Sequence, residues 1–505
     1  MRKALSLVAV LAAAASLVAP GVSSAAPAAP AAPATPAAPD VRWVACPADV
    51  AAEGLECGTL SVPLDYKKPE GRKIEVMISR LASKNPQKRR GILLTNPGGP
   101  SEGLTFPAVL KAAGLPQSVQ DAYDVIGVDP RGLGYSTPVT CDLTEEQQYA
   151  GNVPPYAVTP ADVRKRADET KKIARQCATS STAYMLPHNT TANIARDLDR
   201  IRAALGERKA SFLGYSYGTY LGSVYTTLFP RTTDRVVIDS NLGAGGWDVD
   251  ANRLYGRGVE DTFPDFANWA AAHPGFGLGG TPEQVRAKYF DLAARLDTAP
   301  VQGVTGPLFR LLTFGGLYGS GDAPFGKLAA VWKALDTDTP LPPDNPPVPP
   351  RIESLVSGRF AVICADSRWP TSVATYERNV AVDRVRHPMF GAAGANIQPC
   401  AFWPDPVDQP VRISDRGPRN VLMAQNERDP ATPLVGARST RRAFGDRAVM
   451  VTADQGGHGL YVFGANRCAD DKVTGFLLGG QRPAHDLKCA AEPSAPARGE
   501  VPAIG

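Results

Sequence analysis

Histidine is scarce in this chain, with five among 505 residues. A proton acceptor working near neutral pH must come from very few positions, because imidazole is the side chain whose ordinary titration falls in that range. There is also no C-x-x-C pair and no close cluster of histidines and cysteines. That absence speaks against a zinc site, and nothing in the sequence calls for another metal or a cofactor. An excess of charge of one sign is missing too: the formal net charge is +4, and Arg2 and Lys3 supply two of those charges. A near-neutral chain gives no electrostatic reason to expect nucleic acid or an anionic membrane as partner. Lastly, no apolar run is comfortably long enough to span a bilayer. The nearest, residues 4–19, follows Arg2 and Lys3 and leads into the small residues Ser23, Ser24, Ala25 and Ala26. Basic start, apolar middle and small-residue end make an export leader, expected over residues 1–26. No stop-transfer pattern follows and no cysteine stands at the cleavage region, so the mature protein is expected to be secreted and extracellular, without a stable membrane anchor.

Beyond the leader, the Ala/Pro-rich stretch to residue 41 cannot bury a core and reads as a linker. The length suits two to three domains, or one catalytic domain carrying a long insertion. Eight cysteines in an exported chain suggest disulfides. Spacing favours sequential pairing, Cys46 with Cys57, Cys141 with Cys177, Cys364 with Cys400 and Cys468 with Cys489, because each loop is local and cheap to close.

The chain is organised around Gly214-Tyr215-Ser216-Tyr217-Gly218, which lies between an apolar run and the start of a helical pattern. In such a Gly-x-Ser-x-Gly turn, small residues flank a strained serine whose hydroxyl stands out above a sheet. The N–H of Tyr217, at a helix start, would point to where negative charge develops on an attacked carbonyl. A second copy, Gly99-Pro100-Ser101-Glu102-Gly103, has no glycine-rich loop before it, whereas Ser216 has Asn96-Pro97-Gly98-Gly99 upstream. Ser101 is therefore read as part of the loop that serves Ser216, with Gly99 slightly ahead of Gly98 as the second oxyanion donor.

Buried strands are expected at residues 91–95, 123–128, 211–215 and 235–239, alternating with helices that include residues 160–179 and one opening near Thr190. That alternation predicts an α/β fold with a mainly parallel sheet, the α/β-hydrolase arrangement. Its first part is assigned to residues 42–242. Asp129 and Arg131, after the second of these strands, are read as braces for a glycine loop. From residue 243 to 404 the strand signal gives way to helical faces such as Phe263, Phe266 and Trp269, or Val285, Tyr289, Leu292 and Leu296, which predicts a mostly helical cap. The sheet resumes at about residue 420 within a second hydrolase part, 405–490, followed by a disordered tail, 491–505.

Two strand ends in that second part carry Asp429, in Asp429-Pro430-Ala431-Thr432-Pro433, and His458, in Gly457-His458-Gly459. The order Ser216, Asp429, His458 is the one that hydrolases of this fold use. His188, His273, His387 and His485 lack a strand-to-glycine-loop context, which leaves His458 as the base. Asp429 is preferred to Glu427 as its orienting acid, with Thr432 pinning the loop.

Together, Asn96-Pro97-Gly98-Gly99-Pro100, Gly214-Tyr215-Ser216-Tyr217-Gly218-Thr219, Asp429-Pro430-Ala431-Thr432-Pro433 and Gly457-His458-Gly459 resemble the secreted tripeptidyl aminopeptidases of actinobacteria, relatives of proline iminopeptidases. The likeness runs from about Trp43 to Cys489, and Ser101 stands where the family usually has glycine. The resemblance implies release of short peptides, tripeptides above all, from free N-termini, with a cap that blocks passage of longer chains and a carboxylate gripping the substrate ammonium; a monomer is expected. Glu260, Asp261, Asp265 and Asp366 are the candidates for that carboxylate, Asp366 and Glu260 foremost. Two competing expectations are an esterase or lipase-like hydrolase with the same triad, and a silent binding protein of this fold, against which the intact triad speaks.

Overall fold

Two segments of alternating polarity, Leu55–Pro63 (β2) and Lys73–Leu81 (β3), pair antiparallel along their whole length, with a short strand, Arg42–Val44 (β1), on the outer edge. The structure is a computed structural model describing residues 40–52, 54–148, 153–343 and 351–492. The expected leader, all but the last two residues of the linker, and the tail after Glu492 lie outside the described residues. Apolar runs build the centre of the sheet: Gly91–Asn96 (β4), Tyr123–Val128 (β5), Ala210–Tyr215 (β6), Thr233–Asp239 (β7), Val421–Arg428 (β8) and Ala448–Gly456 (β9), with Leu487–Cys489 (β10) at the far edge. The sheet order is β1-β2-β3-β5-β4-β6-β7-β8-β9-β10, parallel from β5 to β10. Every residue of β4, β5 and β6 is buried, because helices cover both faces of a parallel sheet. This is the α/β-hydrolase arrangement expected from the sequence.

The covering helices are Phe106–Ala112 (α1), Gln117–Ala122 (α2), Pro160–Thr179 (α3), Thr191–Ala204 (α4) and Tyr217–Leu228 (α5). Local chemistry sets their ends. Thr159 caps α3 by accepting from the Asp162 N–H while Asp162 reaches back, and Thr190 caps α4 through the Asn193 N–H. Ile194, Leu198 and Ile201 form the buried stripe of α4.

Between β7 and β8 no strand occurs among the described residues, and the α-helices are Val249–Ala271 (α6), Pro282–Thr298 (α7), Gly306–Gly316 (α8), Asp322–Thr337 (α9), Ile352–Asp366 (α10), Val373–Arg386 (α11) and Gly391–Gly394 (α12). The proline-rich stretch 341–350 lies largely outside the described residues. Phe263, Phe266, Tyr289, Phe309 and Trp332 pack ring against ring within this insertion. The same continuous core takes in sheet residues such as Ile92, Phe212 and Val236, so the insertion and the sheet are buried together in one compact unit. Leu434–Phe444 (α13) and Arg467–Gly479 (α14) complete the fold.

The four disulfides join Cys46 to Cys57, Cys141 to Cys177, Cys364 to Cys400 and Cys468 to Cys489, the sequential pairing. Asp129 accepts the N–H groups of Gly103, Leu104 and Tyr135, and Arg131 forms a two-pronged pair with Asp197 at 2.6 and 2.7 Å. Arg131 also donates to the carbonyls of Pro63, Leu64 and His188. Both members of this ion pair are buried. Removing one strands the other away from water, so Arg131→Met is expected to cost about 3–5 kcal/mol of stability, read from the urea midpoint at unchanged slope.

Candidate active site

Strand β6 runs into helix α5 with a single residue between them, and that residue is Ser216. Its backbone sits at φ 55° and ψ −122°, where a side chain is strained. The turn is tight enough that both flanking glycines are required: a Cβ on Gly214 would lie 2.5 Å from the Gly218 carbonyl, and one on Gly218 would lie 2.8 Å from the Asn96 carbonyl. From Ala210 to Thr226 every residue is buried except Ser216. The fold thus spends backbone strain on exposing one hydroxyl.

The loop after β4 closes on this elbow. A Cβ on Gly98 would stand 2.7 Å from the Ser216 Cβ, so the loop backbone rests against the nucleophile position. Within the loop, Gly98 gives its N–H to Asn96 Oδ1 at 3.0 Å, and Ser101 Oγ donates to the Gly98 carbonyl at 3.0 Å. The Gly98 donor is therefore engaged, which leaves Gly99 as the glycine of the pair with a donor to offer. Ser101 is a buried brace. Tyr217 opens α5, and its N–H is one of those a helix start leaves unpaired.

Asp429 and His458 follow β8 and β9, at the same carboxyl ends of the sheet. His458 Nδ1 lies 2.9 Å from both carboxylate oxygens of Asp429. The carboxylate is held in turn by the N–H groups of Ala431 (2.9 Å) and Thr432 (2.8 Å) and by the Thr432 hydroxyl (3.0 Å). Both residues are buried. The His458 N–H donates to the Tyr318 carbonyl of the cap at 2.7 Å, and the Tyr318 ring packs edge-on against the imidazole at 4.8 Å. A cavity of about 300 Å³ reaches His458, walled by Asp265, Trp269, Tyr318, Phe325 and Arg428 among others.

One residue absent from the sequence-level candidates ties these parts together. Asp239, at the end of β7, accepts the Ser216 N–H on its carbonyl at 3.1 Å, and its carboxylate accepts the N–H groups of Leu460 (2.9 Å) and Tyr461 (2.6 Å). Its neighbour Ser240 accepts the Gly459 N–H at 2.7 Å. The nucleophile turn and the histidine loop thus hang on the same strand end. Burial pushes the Asp239 carboxyl up to about 6, against the pull of those N–H groups and of His458. Its signal in the sequence is the one Asp129 also gives, an aspartate closing an apolar run.

The proposed ammonium-binding carboxylates separate by their partners. Glu260 pairs with Arg286 at 2.9 Å and accepts the Met389 N–H, so its charge is balanced inside the insertion. Asp261 pairs with Arg257 and Asp265 with Arg428. Asp366, the last residue of α10, has no cation within ion-pair distance among the described residues. Its carboxylate accepts both the N–H and the hydroxyl of Thr191, and that hydroxyl also meets the Tyr217 phenol at 2.6 Å. Burial pushes the Asp366 carboxyl up to about 7. No group of three or more histidine, cysteine or acidic side chains fit for a metal occurs among the described residues.

Residues 91–305 match the family model described as alpha/beta hydrolase fold, and residues 387–489 the one described as TAP-like protein. A tripeptidyl aminopeptidase of Streptomyces lividans is 35% identical over 466 residues, 89% of this chain and 86% of that protein. The chain belongs to the tripeptidyl aminopeptidase family. Serine protease Hip1 of Mycobacterium tuberculosis is 29% identical over 488 residues, 89% of this chain and 91% of that protein. Carboxylesterase B of the same species is 28% identical over 468 residues, 86% of each. As a member of the tripeptidyl aminopeptidase family, the chain is an enzyme, a serine hydrolase on the α/β-hydrolase fold.

Proposed function

We propose that this enzyme is an exported serine exopeptidase that releases tripeptides from free N-termini through an acyl-enzyme. The observation that carries the reading is the two-oxygen contact of Asp429 with His458 Nδ1, on the strand ends beside the Ser216 elbow. A carboxylate there fixes the tautomer with its proton on Nδ1, leaving Nε2 to take the Ser216 proton as Oγ attacks the scissile carbonyl. The N–H groups of Tyr217 and Gly99 stabilise the resulting oxyanion. The imidazolium returns the proton to the leaving amine, and water, activated by the same imidazole, frees the peptide from Ser216. Four disulfides support an oxidising destination, and among the described residues no helix is long and apolar enough to cross a membrane.

Asp366 supplies the N-terminal selectivity. A part-buried carboxylate whose only side-chain partner among the described residues is a threonine gains most from an incoming ammonium, which provides the missing opposite charge. Asp366→Asn is expected to raise KM for a tripeptidyl anilide about 10- to 100-fold with kcat little changed. In the wild type KM rises as pH falls below about 7, because the carboxyl then carries a proton and no charge, whereas the variant lacks that step.

Mass spectrometry of products from peptides with free and acetylated N-termini tests the whole reading. Tripeptides released from free termini alone support it, and cleavage indifferent to acetylation overturns it. The likeness to carboxylesterase B makes ester hydrolysis the second reading. A kcat/KM for short acyl esters far above that for tripeptidyl amides would favour it.

A further inference from the structure

The insertion grips the oxyanion loop through a pair of charges. Arg351, immediately before α10, binds Glu102 with Nε to Oε1 at 3.2 Å and Nη2 to Oε2 at 2.8 Å. Its third nitrogen donates to Asp49 at 2.9 Å, and its guanidinium lies 3.9 Å over the Tyr135 ring, whose hydroxyl also donates to Asp49. Glu102 follows Ser101, which braces the Gly98 carbonyl, and precedes Gly103, whose N–H is fixed by Asp129 at 2.7 Å. The ion pair thus takes hold of the loop between its two internal braces. Both side chains are only partly buried, at 24% and 30% exposure. A surface ion pair of that exposure adds little stability, so its geometry, two parallel bonds from a planar fork, is the more informative feature.

We propose that Arg351 is a positioning residue for the reaction, acting through Glu102 to hold the Gly98–Gly99 backbone where the oxyanion forms. This rests on the reading of Ser216 and its loop given above. Helix α10 makes the arrangement consequential, because the same rigid element ends in Asp366. Its 15 residues span about 22 Å. One end meets the loop that stabilises the transition state, and the other meets the carboxylate assigned to the substrate ammonium. Cys364, two residues before Asp366, is tied to Cys400, which fixes that end. Oxyanion donors stabilise charge only within a few tenths of an ångström of their ideal place, so a loop released from the fork loses rate while the ground-state contacts persist.

The test compares Arg351→Met, Arg351→Lys, Glu102→Gln and the Met/Gln double variant with the wild-type full chain. It measures kcat and KM on a tripeptidyl anilide, the rate of fluorophosphonate labelling at Ser216, and Tm. Arg351→Met and Glu102→Gln are each expected to lower kcat and the labelling rate about ten-fold, a fraction of what losing a whole oxyanion donor costs, with KM and Tm nearly unchanged. The double variant should be no worse than either single one, because the two act as a unit. Arg351→Lys, which keeps the charge but not the fork, should recover part of the rate. Unchanged kcat, a rise in KM at constant kcat, or a loss of rate that follows Tm without slower labelling would each overturn the proposal. Wild-type protein that takes no label at Ser216 would overturn the reading of the site and this inference with it. Equal labelling of wild type and both single variants would overturn the inference alone.

Discussion

Replacing Ser216 with alanine is expected to lower kcat on a tripeptidyl anilide by about 10⁶-fold and to abolish fluorophosphonate labelling, while the thermal transition stays in place. The size of the effect follows from the site's construction. On the proposed mechanism Asp429, His458 and the oxyanion donors act through the one hydroxyl that the elbow exposes, so without it they have nothing to activate. The fold should tolerate the change because Ser216 Oγ makes no hydrogen bond among the described residues that the neighbouring strands depend on. The load is carried by its backbone, with N–H to Asp239 and carbonyl to Thr219. The same experiment separates the two Gly-x-Ser-x-Gly copies. Labelling that survives in Ser216→Ala and disappears in Ser101→Ala would transfer the nucleophile to a residue that is buried and already donating to Gly98.

Asp429→Asn should be the next most damaging substitution, at about 10⁴-fold in kcat with little change in KM. The surroundings of the carboxylate explain why the isosteric amide fails. The N–H groups of Ala431 and Thr432 both point at Oδ1, so an amide there must place its oxygen on them and turn its NH₂ toward His458. Nδ1 then has to accept, the proton moves to Nε2, and the imidazole can no longer receive a proton from Ser216. Steady-state kinetics on correctly folded protein checks this. A loss smaller than about ten-fold would mean that the tautomer is set by something other than Asp429.

Local signals reached the functional region where a residue's role depends on its chain neighbours. The elbow, the cap at Thr190 and the pairing of nearby cysteines are of this kind, and so is the aspartate that ends an apolar run. What the sequence left open needs the order of the strands. Asp239 was legible as the end of β7, but its grip on the histidine loop arises because β9 lies two strands away with its carboxyl end at the same height. Among acidic residues of the insertion, sequence offers charge without partner. Glu260 and Asp366 look alike there, and only the folded chain shows Arg286 beside one and Thr191 beside the other. The fork from Arg351 to Glu102 joins residues 249 positions apart, and no periodicity or motif announces it.

The order in which the strands are made has a biological corollary. Residues 420–458, which bring both the proton acceptor and its carboxylate, leave the ribosome after the whole helical insertion, and β8 and β9 then have to dock beside β7. A polypeptide interrupted anywhere earlier carries an alcohol without a base. On the proposed mechanism the protein is therefore inert toward its neighbours while it is being synthesised, and acquires activity only when the last fifth of its length has arrived.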